Sequence, residues 1–321
     1  MKKMVQTLAA TMVLAWSHCS GERLTSIIKP SGPVVEIWQE SWDNGNARFE
    51  FQYYLDAAGA PLKHGYYKEY SRFVNNLLTV EGRYTNGVKT GQWYTRCNPG
   101  PLPPVFKNGG FENANFSGWM LDGVEKNRID LIASDDPQRG QYSAKLTLVD
   151  NRVELVRMDP DSYQQERIYN WSFKIDEDFG EEPYWMVINQ FHSQPDFPKG
   201  ETWATYPAFR PPVSISYAEG HARLLVIPLD QVVVTLGSFP VEKGKWFDIY
   251  LQIKWSLGDD GYIEMYVDGK PVTRFNGVDY KHYGPNVHNE VGNFLKVGLY
   301  RDRRATQVNS VYIDNLTIDD C

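Results

Sequence analysis

Residues 245–255 read KWFDIYLQIKW, in which Phe247, Ile249, Leu251, Ile253 and Trp255 alternate with Trp246, Asp248, Tyr250, Gln252 and Lys254. Successive side chains of a strand point to opposite faces, so this run has one apolar face and one polar, aromatic face. A helix would scatter the same five apolar residues around its circumference. The pattern predicts a half-buried strand. YIEMYVDGKPV (262–272) repeats it and turns at Asp268-Gly269, and FLKVGLYRD (294–302) sets Leu295, Val297 and Leu299 against Lys296, Gly298 and Tyr300. Many such runs between residues 105 and 321, punctuated by Gly and Pro with almost no helical period, predict an all-β two-sheet sandwich.

Upstream the rhythm changes. HGYYKEY (64–70) is followed by EGRYTNGVKTGQWYT (81–95), where Gly, Tyr and Trp recur at hairpin spacing around an Asn86-Gly87 turn. This resembles a MORN-type repeat, a short β-hairpin unit whose expected role is spacing or contact with a protein partner. NPGPLPPVF (98–106) then interrupts the pattern, as a semi-rigid linker would. The expected organisation is a leader at 1–17, hairpin repeats over 22–97, a Pro-rich linker at 98–104 and the sandwich over 105–321.

The leader reads MKKMVQTLAATMVLAWS: two lysines, a short apolar stretch, and small residues Ala15 and Ser17 before the cut. That is the form of a secretory signal peptide, which places the mature chain outside the cytoplasm, secreted or periplasmic. A lipid anchor on Cys19 is the competing reading, disfavoured by Trp16 and His18. No later apolar run is long enough to span a bilayer. Cys19, Cys97 and Cys321 are too few for a disulfide framework, though one bridge between Cys97 and Cys321 is allowed after export.

A formal net charge of -7 excludes a general nucleic-acid binder. Lys296, Arg301, Arg303 and Arg304 nevertheless cluster, a pattern from which a polyanion groove can be built. No metal-ligand spacing stands out. The acidic stretch IDEDFGEE (175–182) reads as a solvated loop with room for a structural calcium, without EF-hand spacing.

Three strand-like segments place unusual polar residues on one face at period two. RVELVR (152–157) pairs Arg152 with Glu154, VINQFH (187–192) pairs Gln190 with His192, and FLKVGLY pairs Lys296 with Tyr300. The order Arg-x-Glu, Gln-x-His, Lys-x-Gly-x-Tyr, with the ending YRDRRATQVNSVYIDNLTI, resembles the jelly-roll polysaccharide lyases. The likeness is nearest to the heparin lyase I and glucuronan lyase group and more distant to alginate lyases of the same fold. It covers roughly residues 105–321.

The resemblance implies β-elimination on a uronic-acid polymer of the glucuronan, heparin or heparan sulfate, or alginate type, with no cofactor required for the chemistry. Gln190, with amide N–H donors, and Arg152, with a guanidinium fork, are expected to clamp the substrate carboxylate. His192 is the expected base or a partner that orients the carboxylate, and Tyr300 the expected acid or, as the resemblance also allows, base and acid both. Lys296 is assigned to a flanking anionic group, Glu154 to holding Arg152, and Arg157 and Arg301 to substrate binding. Val153 stands where alginate enzymes have Ser or Thr, so Arg152 and Arg157 both remain candidates for the clamp. Gly298 is read as a bare groove floor. A non-catalytic carbohydrate-binding sandwich is the main rival. A sandwich-type glycoside hydrolase would need a Glu-x-Asp-x-x-Glu run that the acidic stretch lacks.

Overall fold

The structure, a computed structural model, describes residues 4–6, 35–42, 47–70, 78–95, 106–136, 139–161, 163–274, 277 and 279–321. Cys19, Cys97, the Pro-rich linker and all of the leader except Met4–Gln6 lie outside these residues. The chain divides into two compact units, Met1–Pro101 and Leu102–Cys321.

The first unit is a six-stranded antiparallel sheet whose spatial order follows the chain: β1 (Met4–Gln6), β2 (Glu36–Ser41), β3 (Ala47–Leu55), β4 (Pro61–Tyr70), β5 (Leu78–Thr85) and β6 (Val88–Thr95). Asn86 and Gly87 both take positive φ, 51° and 80°. That pair of left-handed residues is what a two-residue hairpin demands. The recurring Gly and Trp also have a physical cause: a Cβ on Gly82 would meet the Trp93 ring at 2.3 Å, so the indole lies directly over the bare backbone.

The second unit is a sandwich, and its described residues contain no α-helix. One sheet runs in the order β19 (Lys270–Pro271), β18 (Tyr262–Val267), β17 (Trp246–Lys254), β12 (Glu166–Ile175), β22 (Asn309–Asp320), β10 (Tyr142–Leu148), β9 (Arg128–Ala133). To it β20 (Lys281–Tyr283) adds on β18, and β7 (Phe106–Gly109) on β22. The other runs β16 (Val234–Pro240), β15 (His221–Val226), β14 (Val213–Ala218), β13 (Met186–Ser193), β21 (Asn293–Arg301), β11 (Arg152–Asp161), β8 (Met120–Asp122).

The core between the sheets is built by the alternation read above. Phe247, Ile249, Leu251, Ile253 and Trp255 are buried from one side, and Val153, Leu155, Leu295, Val297 and Leu299 from the other. Each such side chain removed from water contributes about 1.5–3 kcal/mol. The Trp255 indole N–H, which burial would otherwise orphan, donates to the Tyr169 hydroxyl at 2.9 Å. Asp268 and Gly269, with φ of 50° and 74°, turn β18 into β19.

One expectation changes here. The acidic stretch 175–182 is a latch rather than a solvated loop. Phe179 is buried in the core, Asp176 accepts from Lys145 and from the Tyr312 hydroxyl, both at 3.0 Å, and Glu182 accepts from the Thr306 N–H at 2.7 Å. Among the described residues no group of three or more His, Cys, Asp or Glu is arranged to hold a metal ion. Cys321 is disulfide-bonded, and the other two cysteines lie outside the described residues. Among the described residues no helix is long and apolar enough to cross a membrane.

Candidate active site

The open face of the seven-stranded sheet collects the polar residues of three strands. In β11, Val153 and Leu155 enter the core, so Arg152 and Glu154 point away from it. In β21, Leu295, Val297 and Leu299 enter the core, leaving Lys296 and Tyr300 outside. Strand β13 reaches the same result by an irregularity. Met186 and Ile188 belong to the core, but the register shifts between Val187 and Asn189, after which Phe191 is the core residue and Gln190 and His192 face outward. A bulge of this kind re-aims side chains and is common beside active sites.

Register then sets the neighbours. Arg152 lies opposite Tyr300, Glu154 opposite Gly298, Gln190 opposite Lys296, and His192 opposite Phe294. Glu154 also pairs with Asp122 on edge strand β8. At the centre Lys296 Nζ sits 2.9 Å from Asp122 Oδ2 and 3.4 Å from Glu154 Oε2. Arg152 reaches the same two carboxylates, with Nη1 3.4 Å from Asp122 Oδ2 and Nε 3.4 Å from Glu154 Oε2. Gln190 donates an amide N–H to Glu154 Oε1. Two cations, two carboxylates and an amide thus form one charge-compensated cluster.

Burial acts unevenly on the two carboxyls. Glu154 is 1% exposed, and desolvation raises its carboxyl above the usual range against the pull of Lys296 and Arg152. At half-exposed Asp122 burial pushes the same way, but Lys296 and Arg152 outweigh it and hold the carboxyl below that range. The cluster keeps unused bonding capacity: Gln190 Oε1 and Asn189 Oδ1 are buried without a hydrogen bond, and Arg152 Nε is held only by its 3.4 Å ion pair with Glu154. The Gln190 amide also has a second N–H beyond the one given to Glu154.

Tyr300 and His192 stand at opposite ends of this cluster along β21. The Arg152 guanidinium lies over the Tyr300 ring, 4.0 Å from its centroid, and Trp185 meets that ring edge-on at 5.0 Å. At the other end His192 Nδ1 is 2.6 Å from the Ser193 carbonyl oxygen. A carbonyl only accepts, so Nδ1 carries the proton and Nε2 keeps its lone pair. Burial, reinforced by Lys296 and Arg152 and opposed by the Ser193 hydrogen bond, lowers the imidazole pKa to about 4. His192 is therefore neutral at pH 7. Phe294 and the half-exposed Trp203 flank it at centroid distances of 5.6 and 6.3 Å.

Three expected site residues lie elsewhere or serve another purpose. Arg157 points to the opposite face from Arg152, donates to the Gly118 carbonyl and lies 4.3 Å from the Phe106 ring centroid. Arg301 is fully buried and clamps backbone, donating to the carbonyls of Asp150 at 3.1 Å, Val149 at 3.2 Å and Gln307. Arg304 pairs with Asp302 at 2.8 Å on the surface, and Lys296 is the member of the basic cluster that joins Asp122 and Glu154. Gly298, at φ 142°, is required by its neighbour strand, because a Cβ there would come 2.3 Å from the Val153 carbonyl oxygen. Sequence reading missed Asp122: it ends a three-residue edge strand, MLD, with no periodicity to mark it.

A polysaccharide lyase family model matches residues 111–317. Among solved structures, the endo-β-1,4-glucuronan lyase of the fungus Trichoderma reesei superposes with a TM-score of 0.53 at 19% identity, covering 68% of this chain and 96% of the other. An alginate lyase of polysaccharide lyase family 7 matches at a TM-score of 0.40 and 16% identity, over 60% and 82%. No curated protein sequence gives a match. The first structure shares the fold, and the family model spans the strands that carry the cluster. The chain belongs to the polysaccharide lyase family.

Proposed function

We propose that the protein cleaves a 1,4-linked, unsulfated uronic-acid polymer of the glucuronan type by β-elimination at the open face of the seven-stranded sheet. The observation that carries this reading is the cluster of buried Glu154, Gln190 and Lys296 with half-buried Arg152, which has bonding capacity left over between a neutral histidine and a tyrosine. The glucuronan lyase that shares the fold supports the substrate class. The burial of Arg301 against backbone carbonyls takes the central member of the basic cluster out of reach of a sulfated chain.

The C5 proton of a uronate is a weak acid while the neighbouring carboxylate is ionised, so its charge has to be met by preorganised donors. Arg152 and the second amide N–H of Gln190 supply them, with Lys296 adding positive charge. His192 Nε2 takes the C5 proton, the C5–H electrons form the C4–C5 double bond, the C4–O bond breaks, and Tyr300 protonates the departing oxygen. Burial is the main cause of the low His192 pKa, and a bound carboxylate offsets the smaller contribution of Lys296 and Arg152.

The test is ultraviolet absorbance of the unsaturated uronide during incubation with glucuronan, alginate, heparin, heparan sulfate, hyaluronan and polygalacturonate. Absorbance rising on glucuronan supports the reading. Reducing ends released without absorbance contradict elimination, and cleavage of heparin alone contradicts the unsulfated substrate. For the first unit we propose MORN-type hairpins that contact a partner, and for residues 1–17 an export signal. Amino-terminal sequencing of exported protein beginning at residue 1 would overturn the latter.

A further inference from the structure

The cluster is off-centre in its sheet, and that asymmetry has a length. From β21 the sheet continues through β13, β14, β15 and β16 on one side but only through β11 and β8 on the other. Following register outward from Tyr300 gives Val187, then Ser216, then Arg223, then Ser238. These residues form one row perpendicular to the strands. Ala222, Leu224 and Val226 fill the core, so Arg223 stands on the same open face as Tyr300. Three strand spacings at about 4.8 Å put its backbone roughly 14 Å from that of Tyr300, the reach of a short run of sugars and not of one.

Arg223 has little to hold it elsewhere. Its ion-pair partner, Glu219, is a turn residue whose side chain is 88% exposed, at 3.7 Å. An exposed pair of this kind is worth at most about 1 kcal/mol and yields to a better anion. Ser216 and Ser238 lie directly opposite Arg223 in register on the two neighbouring strands. A guanidinium fork beside two hydroxyls is a fitting receptor for a carboxylate with adjacent sugar hydroxyls.

We propose that Arg223, with Ser216 and Ser238, forms a distal subsite that binds the carboxylate of a uronate several units from the scissile bond, on the β14–β16 side of the groove. The subsite makes the protein favour long chains over short ones. It rests on the elimination reading for its substrate class, but it is tested by binding. In a Tyr300→Phe background, so that substrate is not consumed, affinity is measured by calorimetry for oligoglucuronates of increasing length, with Arg223→Gln and Arg223→Lys added in turn.

Arg223→Gln is expected to weaken binding of the longest chains about tenfold, with a loss that shrinks as the chain shortens, and Arg223→Lys to restore part of it. Equal loss at every length, or none at any length, overturns the subsite. Unsaturated product from the parent protein together with a length-independent Arg223→Gln effect would keep the lyase reading and discard this one. Length-dependent loss without any elimination would do the reverse. A parent protein with no affinity for oligoglucuronates of any length overturns the subsite as well.

Discussion

Two glutamines lie on the two outer faces of the sandwich, one on each sheet, and their surroundings differ. Gln252 on β17 and Gln190 on β13 are each 1% exposed. Gln252 spends its whole amide within the protein: Nε2 donates to Glu166 at 2.6 Å and to the Tyr262 hydroxyl at 2.7 Å, while Oε1 accepts from the Tyr250 hydroxyl at 2.8 Å. Gln190 donates once, to Glu154, and its Oε1 has no hydrogen bond. An unmet buried polar group costs about 1–3 kcal/mol. The closed network on the nine-stranded sheet supports the fold, whereas the open one on the seven-stranded sheet retains capacity that a ligand can use.

The comparison can be broken most sharply at Tyr300. Tyr300→Phe should lower kcat by about 100- to 10,000-fold, the usual value of a positioned proton donor, with melting temperature unchanged because the hydroxyl makes no hydrogen bond among the described residues. A variant that retains the parent rate moves the chemistry elsewhere. Next, Glu154→Gln should cost roughly 3 kcal/mol in chemical denaturation, since it leaves buried Lys296 short of countercharge. Glu264→Gln on the other face should cost less, because its partner Lys281, at 3.2 Å, keeps 26% of its side chain exposed and can turn to water. Equal costs would remove the distinction between the faces.

The pH dependence sharpens the same contrast. His192 binds a proton only near pH 4 in the folded protein, against 6.5 as its ordinary value. The unfolded chain therefore takes up protons first, and the stability contributed by the neutral imidazole is lost as pH falls from 6.5 towards 4. As the base, His192 would also put the acid limb of kcat/KM near pH 4 and that of kcat higher. An acid limb of kcat/KM at pH 6.5 would contradict this. The smallest effect belongs to Gly298→Ala, expected to destabilise by about 1–3 kcal/mol through its positive φ and the approach of Val153 without a specific loss of kcat. A selective fall in kcat would restore the groove-floor reading.

The sandwich was legible in the sequence because alternation is a local signal. KWFDIYLQIKW and FLKVGLY alone separate core from face, and Asp268-Gly269 and Asn86-Gly87 mark their own turns. The shared face of Arg152 with Glu154, and of Lys296 with Tyr300, follows from the same parity. What parity cannot supply is register between strands distant in sequence. Asp122 joins the cluster only because β8 happens to pair with β11. Arg301 looks like a groove cation next to Lys296, yet the odd positions of β21 point inward. Gly298 was read for the space above it, when the constraint was the strand beside it. The face switch at Val187/Asn189 is invisible in VINQFH, although Gln190 and His192 reach the open face because of it.

The most direct measurement compares Gln190→Ala with Gln252→Ala in initial elimination rate and in melting temperature. The account predicts that Gln190→Ala loses at least about tenfold in kcat at temperatures where it is folded, because it removes a donor to the developing negative charge. Gln252→Ala should melt several degrees earlier and keep its rate at temperatures where it is folded. The opposite partition, with Gln252→Ala slow and stable and Gln190→Ala fast and unstable, would contradict the placement of the reaction on the open face of the seven-stranded sheet.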